Sequence, residues 1–423
     1  MSIAFVLLIV SIATSTAFVI LDGVAAQYLF TALAAVALAA VGISARAADV
    51  KLAAQVTRFF KLAAAVPAIW MIFQILPLPF WSHSIWINAN EALNSKSLGH
   101  ISIDFGTTFN ALAFYLSNVA LMIVSIFVVR DRRRAELVLL TLTAVIMLAT
   151  IALLIGMGSG KGEPNEVLSA ASSLGIILSL TGGIRAVEQN ESRQVVPMWR
   201  NTVAGLALPG TGLLVCIAGL AASATLNVGL TVVFGAVAFG SIQAIRRLSG
   251  AGWAIGIFIA TMIIAGAMVV LWRYDPARTL SPFLQFASAA PPNALLTAQR
   301  ILSDAGWQGT GASTYAQLSP VYQELGGSVT KAPSTAAAFA VELGRPITVF
   351  IMAAAIGLIV TLYRSALIRG RDSFYPAAAA ACTTIVFLQS FCDTSLLNPC
   401  IAMVDDVVIG LGLAQSVSNR ESP

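Results

Sequence analysis

Long apolar runs broken by short polar clusters fill most of the chain. Many of them approach 20 residues, and at about 1.5 Å per helical residue such a run crosses a hydrocarbon core roughly 30 Å thick. Helices placed on the pattern fall near 3–21, 24–41, 62–80, 108–129, 137–157, 167–184, 201–222, 226–242, 252–272, 346–363, 375–392 and 396–415. The prediction is an all-α, polytopic membrane helix bundle of about 12 transmembrane helices. The continuous apolar runs exclude an outer-membrane barrel, whose strands alternate apolar with polar positions. One stretch breaks the rhythm and divides the chain: spans one to nine over 1–272, a long polar loop over 273–345, and spans ten to twelve with a short tail over 346–423.

Composition agrees with the pattern. Of 423 residues, 58% are hydrophobic and 10% charged, with a mean hydropathy of +0.87. Soluble domains carry roughly a quarter charged residues, so a soluble globular enzyme is excluded. The net charge of +5 and pI near 9.2 raise the question of nucleic acid. In a membrane chain, however, cations first encode orientation, and the expected partner is the lipid bilayer, with no nucleic acid.

The connections after the second, fourth, sixth, eighth and tenth spans, with Arg420 in the tail, hold 17 of the 24 Lys and Arg. They include Arg46, Lys61, Arg130, Arg134, Arg185, Arg246, Arg247 and Arg364. This alternation places both termini in the cytoplasm. The remaining seven are Lys96, Lys161, Arg273, Arg278, Arg300, Lys331 and Arg345. No cation precedes the run that starts at Ile3, so it reads as a retained first helix and not as a cleaved signal. Trp81, Trp86, Trp199, Trp253 and Trp272 flank spans as interfacial anchors. Pro209 is expected to kink the seventh span, and Gly252 and Gly256 to let the ninth pack closely. Cys216, Cys382, Cys392 and Cys400 show no metal-binding spacing and read as small apolar fillers, although Cys392 and Cys400 flank the last outer turn and could pair there.

Three outer connections exceed a simple turn, 81–107, 158–166 and 273–345, and the last is the candidate site. Within it, 293–305 reads as an amphipathic helix that Asn293 can cap and Gly306 can end. Gly309 and Gly311 follow, allowing a tight turn and close backbone approach to a ligand. Tyr315 and Tyr322 suit stacking on sugar rings or lying at the membrane surface. A second short helix over 335–343 ends at Gly344, which leaves Glu342 and Arg345 at the mouth of the membrane. The cations Arg273, Arg278, Arg300, Lys331 and Arg345 admit two readings. They are a solvated set paired with Asp275, Asp304, Glu324 and Glu342, or a clamp for an anionic headgroup, since guanidinium groups bind phosphate oxygens in pairs. No metal or cofactor motif is visible.

Short motifs then suggest a family. Leu76-Pro77-Leu78-Pro79 followed by Ile101-Ser102-Ile103-Asp104, the series Arg300, Asp304, Gly309, Gly311, Tyr322, Glu342 and Gly344, and the run Gln389-Ser390-Phe391-Cys392-Asp393-Thr394-Ser395-Leu396 occur in one order on one side. In this the chain resembles the O-antigen ligase and polysaccharide polymerase superfamily of bacterial inner membranes, over most of its length. It departs from the pattern at Ala332-Pro333-Ser334, where members carry a histidine, at Leu226-Asn227-Val228-Gly229, where they carry an arginine, at Asn165-Glu166-Val167, and at Gln389. Its two histidines, His83 and His100, lie in the first outer loop.

The resemblance implies a metal-independent glycosyltransferase of the inner membrane, a polymerase of repeat units carried on undecaprenyl pyrophosphate, working beside other polysaccharide assembly proteins. An acceptor hydroxyl would attack the anomeric carbon while arginines stabilise the leaving pyrophosphate. Arg300 is the first choice for that role, with Arg273, Arg278, Arg345, Lys331, Tyr315 and Tyr322 binding substrate and Glu342 as general base. An O-antigen ligase and a non-catalytic assembly subunit are the alternatives on the same scaffold. A transporter or flippase rests on other residues, Asp405 and Asp406 in the last span. A carboxylate at the bilayer centre costs on the order of 2.5–3.5 kcal/mol and usually marks an ion path. The alternative is a bent or short twelfth span that leaves both residues in protein or water.

Overall fold

The computed structural model describes residues 2–20, 24–57, 60–94, 98–158, 165–191, 199–223, 226–247, 281–287, 290–323, 331–368 and 372–416. These form helices α1 Ser2–Thr14, α2 Ala17–Ile20, α3 Val24–Ser44, α4 Ala47–Val56, α5 Phe60–Ile75, α6 Ser84–Leu93, α7 Phe105–Val128, α8 Arg132–Gly158 and α9 Asn165–Glu191. There follow α10 Trp199–Ser223, α11 Leu226–Arg247, α12 Pro292–Asp304, α13 Tyr315–Tyr322, α14 Thr335–Glu342, α15 Arg345–Ile368, α16 Phe374–Gln389 and α17 Pro399–Ser416. Among the described residues there is no strand, only a bridge between Pro77 and His100. Eight helices among the described residues, α3, α7, α8, α9, α10, α11, α15 and α17, are long and apolar enough to cross a membrane, and α1 with α2, α5 and α16 are shorter apolar segments. The chain is therefore an all-helical, multi-pass membrane-type bundle. The ninth expected span at 252–272 lies outside the described residues, together with its glycines and tryptophans.

Local chemistry explains where the helices depart from the apolar pattern. The first run breaks at Ser15 and Thr16, whose hydroxyls bond the carbonyls of Ile12 and Ala13 and compete with the helix ladder. The third span was expected to reach residue 80, but α5 stops at Ile75, since Pro77 and Pro79 lack an N–H and disfavour helix in the residue before each. Asp104 starts α7 by accepting from the Gly106 and Thr107 amides at 2.8 and 3.2 Å. Pro209 sits inside a continuous α10. All four cysteines are free and buried, so Cys392 and Cys400 do not pair.

The bundle centres on α16 and α17, which pack on each other, with α7, α9, α11 and α15 around them. Small residues make this possible. A Cβ on Gly410 would stand 2.5 Å from the Ser125 Cβ and 2.8 Å from the Met122 carbonyl oxygen, and one on Gly412 would collide with Ala379. The helix backbones therefore approach to a distance that only glycine permits. Gln415, further along the same helix than Gly410, donates at 2.7 Å to the carbonyl of Val129, which lies beyond Ser125 at the end of α7, so α7 and α17 run parallel.

A smaller cap covers one end of the bundle. Leu284, Ala298, Ile301, Leu302, Tyr315, Leu318, Ala337, Ala340 and Val341 form its own core. A seam of Met71, Leu112, Ala312 and Leu343 joins it to α5 and α7. The amphipathic helix expected at 293–305 is α12, although Pro291 occupies the cap position and Asn293 makes no cap, because Pro292 already supplies the fixed φ of a first helical residue. α13 was not expected, and it begins and ends on the two tyrosines.

Candidate functional site

The last turn of α14 organises the loop-bearing end. Ser334 caps the start of α14 by accepting from the Ala337 amide at 3.1 Å, and Glu342 closes it. The Glu342 carboxylate is buried and accepts from the Ser313 amide at 2.8 Å and the Tyr315 amide at 3.1 Å, which caps α13. Burial pushes its pKa up to about 7, against the pull of those two amides. Its backbone carbonyl accepts from Gly311 at 3.0 Å, Thr310 at 3.1 Å and the Gln74 side chain at 2.8 Å. Both carboxylate oxygens thus carry an internal bond, and the bond geometry makes Glu342 a latch between α13 and α14. Arg345 does not pair with it as the solvated reading expected, since that guanidinium turns to α12.

The glycines serve the same latch. Gly309 and Gly344 have φ of +76° and +85°, and a Cβ on either would collide with the other's strand of backbone, at Glu342 and at Trp307. Gly311, at φ +108°, lies against Ser102 of the first loop. The close backbone approach that the sequence reserved for a ligand is made by the chain to itself.

Of the eight residues picked from sequence, the structure brings Arg300 and Tyr322 together and sets Arg345 against the helix that carries Arg300. Arg300 projects from α12 and reaches the Tyr322 carbonyl at 3.4 Å. Arg345 donates to the Leu302 carbonyl at 2.8 Å, at the negative end of the same helix. Both guanidinium groups are solvent-exposed. Tyr322 is half-buried beside Asp304, and its hydroxyl pKa is raised first by burial and then by that carboxylate. Tyr315 instead lies in the cap core, where it offers no ring face to a sugar, and burial raises its pKa as well. Lys331 is exposed on the approach to α14. Arg273 and Arg278 lie outside the described residues.

Other residues carry more of the architecture than the sequence reading gave them. Gln74, fully buried at the end of α5, bonds the Glu342 and Gln308 carbonyls at 2.8 and 3.1 Å and through its own carbonyl accepts from Ser102 at 3.0 Å. The signal was a lone amide in an apolar run. Trp307 packs with Trp70 and Trp81 at ring separations of 6.0 and 6.1 Å. At the other end of α14, Asp393 and Ser390 accept from the Thr335 and Ala336 amides at 2.9 and 2.8 Å. The Asp393 carboxylate takes bonds from Gln389 at 3.0 Å and from the Ser395 hydroxyl at 2.6 Å. Burial pushes its pKa up to about 6, with a smaller push from Glu166, which itself accepts from Thr394 at 2.7 Å.

Both histidines are structural. His83 accepts from the Ile85 amide at 3.3 Å, and His100 Nδ1 lies 2.7 Å from the Ile75 carbonyl oxygen. Among the described residues, no three His, Cys, Asp or Glu side chains gather as metal ligands would. What the arrangement offers chemically is two exposed guanidinium groups on the end of a helix, bordered by aromatic rings and backed by a rigid, buried latch. The chain matches no family model and no curated protein.

Proposed function

We propose that the chain is a membrane glycosyltransferase-type polymerase that acts on repeat units carried by undecaprenyl pyrophosphate, on the outer face of a bacterial inner membrane with both termini in the cytoplasm. The observation that supports this reading is that the C-terminal half of α12 carries the exposed Arg300 and also accepts Arg345, which donates to its Leu302 carbonyl at 2.8 Å. Tyr322 adjoins Arg300 through its carbonyl, and the Trp307 backbone lies against Gly344, which precedes Arg345 at the start of α15. In the reaction the acceptor hydroxyl oxygen forms a bond to the anomeric carbon, the bond from that carbon to the pyrophosphate oxygen breaks, the hydroxyl proton passes to the departing pyrophosphate, and its remaining charge is met by guanidinium donors. Glu342 is assigned a positioning role, because both of its oxygens already hold the loop. A ligase that passes the glycan to a lipid acceptor uses the same site and differs only in acceptor.

The test is elongation of lipid-linked repeat units by the purified protein in liposomes. Arg300→Ala should lower the rate about 10²–10³-fold, the typical loss for one charge-stabilising donor, while the variant inserts at normal level. Unchanged product length would remove Arg300 from the chemistry. No elongation by the unaltered protein until a partner is added would favour an assembly subunit.

A transporter reading keeps one specific observation. Asp405 and Asp406 lie inside the bundle on α17, and each has a carboxylate oxygen without a hydrogen-bond partner. Both residues therefore lie within protein, an outcome that the alternative to an ion path also expected. Substrate uptake that is driven by a proton gradient and lost in both Asp405→Asn and Asp406→Asn would favour this reading over the polymerase.

A further inference from the structure

The third crossing is too short. α5 has 16 residues, about 24 Å of helix, and its second residue is the exposed Lys61, which belongs in the headgroup layer. A core roughly 30 Å thick leaves at least about 6 Å at the other end to be filled by something that is not this helix.

The residues that follow are built for that depth. Ile69, Ile72, Phe73 and Leu76 are exposed at helical spacing along α5 and just past its end. Phe80, 96% exposed, and Trp81 continue the same apolar band. Non-helical backbone survives at membrane depth only where its polar groups are satisfied. Here Pro77 and Pro79 have no N–H to satisfy, the Leu76 amide bonds the Ile72 carbonyl, and the Trp81 amide bonds the Leu78 carbonyl, each at 3.0 Å. The carbonyls at the end of α5 are taken as well: Ile75 by His100 at 2.7 Å and Gln74 by the Ser102 amide at 3.0 Å. α6 then presents Ile85, Ile87 and Leu93 outward alongside the polar Asn88 and Glu91, while Trp86 turns inward to bond the Ser102 carbonyl. The apolar band closes at Phe105 and Phe109, exposed at the start of α7, which packs against α5.

We propose that residues 76–93 lie in the leaflet at the loop-bearing end as a non-spanning wedge. Leu76, Phe80 and Trp81 complete the crossing that α5 leaves short, and α6 rests along the headgroup layer. The occupant of this exposed face is lipid, because the face is continuous with the outward faces of α5 and α7 on either side of it. The inference does not rest on the glycan-transfer reading. Its consequence is that Trp81, in ring contact with Trp307, brings the edge of the lipid to the edge of the cap.

Nitroxide labelling tests this without rebuilding the protein, since the four native cysteines are buried. Phe80→Cys, Leu76→Cys and Glu91→Cys each replace an exposed side chain, and the labelled proteins are placed in nanodiscs of phosphatidylethanolamine and phosphatidylglycerol. The labels at 76 and 80 should collide several-fold more with oxygen, which concentrates in lipid, than with a water-soluble nickel chelate, and the label at 91 should do the reverse. A label at 80 with the same preference for the chelate as the label at 91 would overturn the proposal. So would labels at 76 and 80 shielded from both reagents and broadened by spin–spin coupling, which would put a second copy of the chain on this face.

Discussion

Two helices of this protein, α15 and α17, are each long and apolar enough to cross a membrane, yet they occupy opposite environments. In α17, 89% of the apolar window is buried inside the protein, and in α15 only 11% is. The buried helix is the less apolar of the two. It carries Asp405, Asp406, Gln415, Gly410 and Gly412, whereas α15 turns Val349, Ile356, Val360 and Ile368 outward. In water the order would be reversed. Lipid tails are as apolar as leucine, so nothing drives branched side chains inward, and the interior goes to small residues that pack closely and to polar ones that must find partners.

The largest effect should come from breaking that close packing. Gly412→Leu forces a side chain into Ala379, with Leu362 at 3.2 Å and the Pro376 Cα at 3.5 Å already beside the position of its Cβ. Overpacking of this kind costs about 1–3 kcal/mol or more. Gly357→Leu on α15 meets nothing within 4 Å and should leave stability unchanged. Thermal unfolding in detergent, followed by tryptophan fluorescence, reads both. Equal losses in the two variants would mean that burial does not distinguish the helices.

A smaller effect is expected at the far end of α17. Gln415 donates to the Val129 and Arg130 carbonyls at 2.7 and 3.1 Å, where α7 ends and its last carbonyls have no partner in the helix. Gln415→Ala should cost about 1–2 kcal/mol in the same assay, the scale of leaving a buried acceptor unmade. A loss below the error of the measurement would show that water reaches these carbonyls.

How far this arrangement could be read from the sequence depends on the kind of interaction. The apolar runs located the eight described helices long enough to cross a membrane, because a run of such length has few other uses. They could not rank the spans by burial, since hydropathy is blind to whether a helix faces lipid or protein. The glycines at 309, 311 and 344 were visible as positions that need special backbone, but the ligand expected to approach them proved to be the chain itself, a contact between segments more than 30 residues apart. Glu342 was picked as a general base with a raised pKa, and burial does raise it, yet its two amide partners lie at the start of a helix the pattern did not reveal. Arg300 was legible as a residue of the amphipathic helix, whereas the bond from Arg345 to the Leu302 carbonyl of that helix was not. Gln74 went unnoticed because a single amide has no pattern to betray it.

The smallest expected effect also separates the two helices most selectively. α17 is held along its whole length, whereas α15 packs mainly on α16 and is tied to the cap at its start, through Gly344 and through the Leu343 carbonyl, which accepts from Trp70 at 2.8 Å. That anchor adjoins Glu342, whose pKa is raised from 4.5 to about 7 when the cap is closed. Below pH 4.5 the group is protonated whether the cap is closed or open, and its contribution to the closed state is fully present. As pH rises toward 7 the open form releases a proton that the closed form keeps, so the closed cap loses stability, and above about 7 the loss is complete. Asp393, raised from 3.8 to about 6, acts in the same direction at lower pH, so the interval from 6 to 7 reports on Glu342. Hydrogen exchange of the Ser313 and Tyr315 amides, corrected for intrinsic rate, should show protection falling across that interval, with residues at the start of α15 following and α17 unaffected. Glu342→Gln keeps an acceptor and removes the charge, and it should flatten the dependence. If the slope survives in that variant, another group sets it, and the anchor of α15 is not governed by the latch.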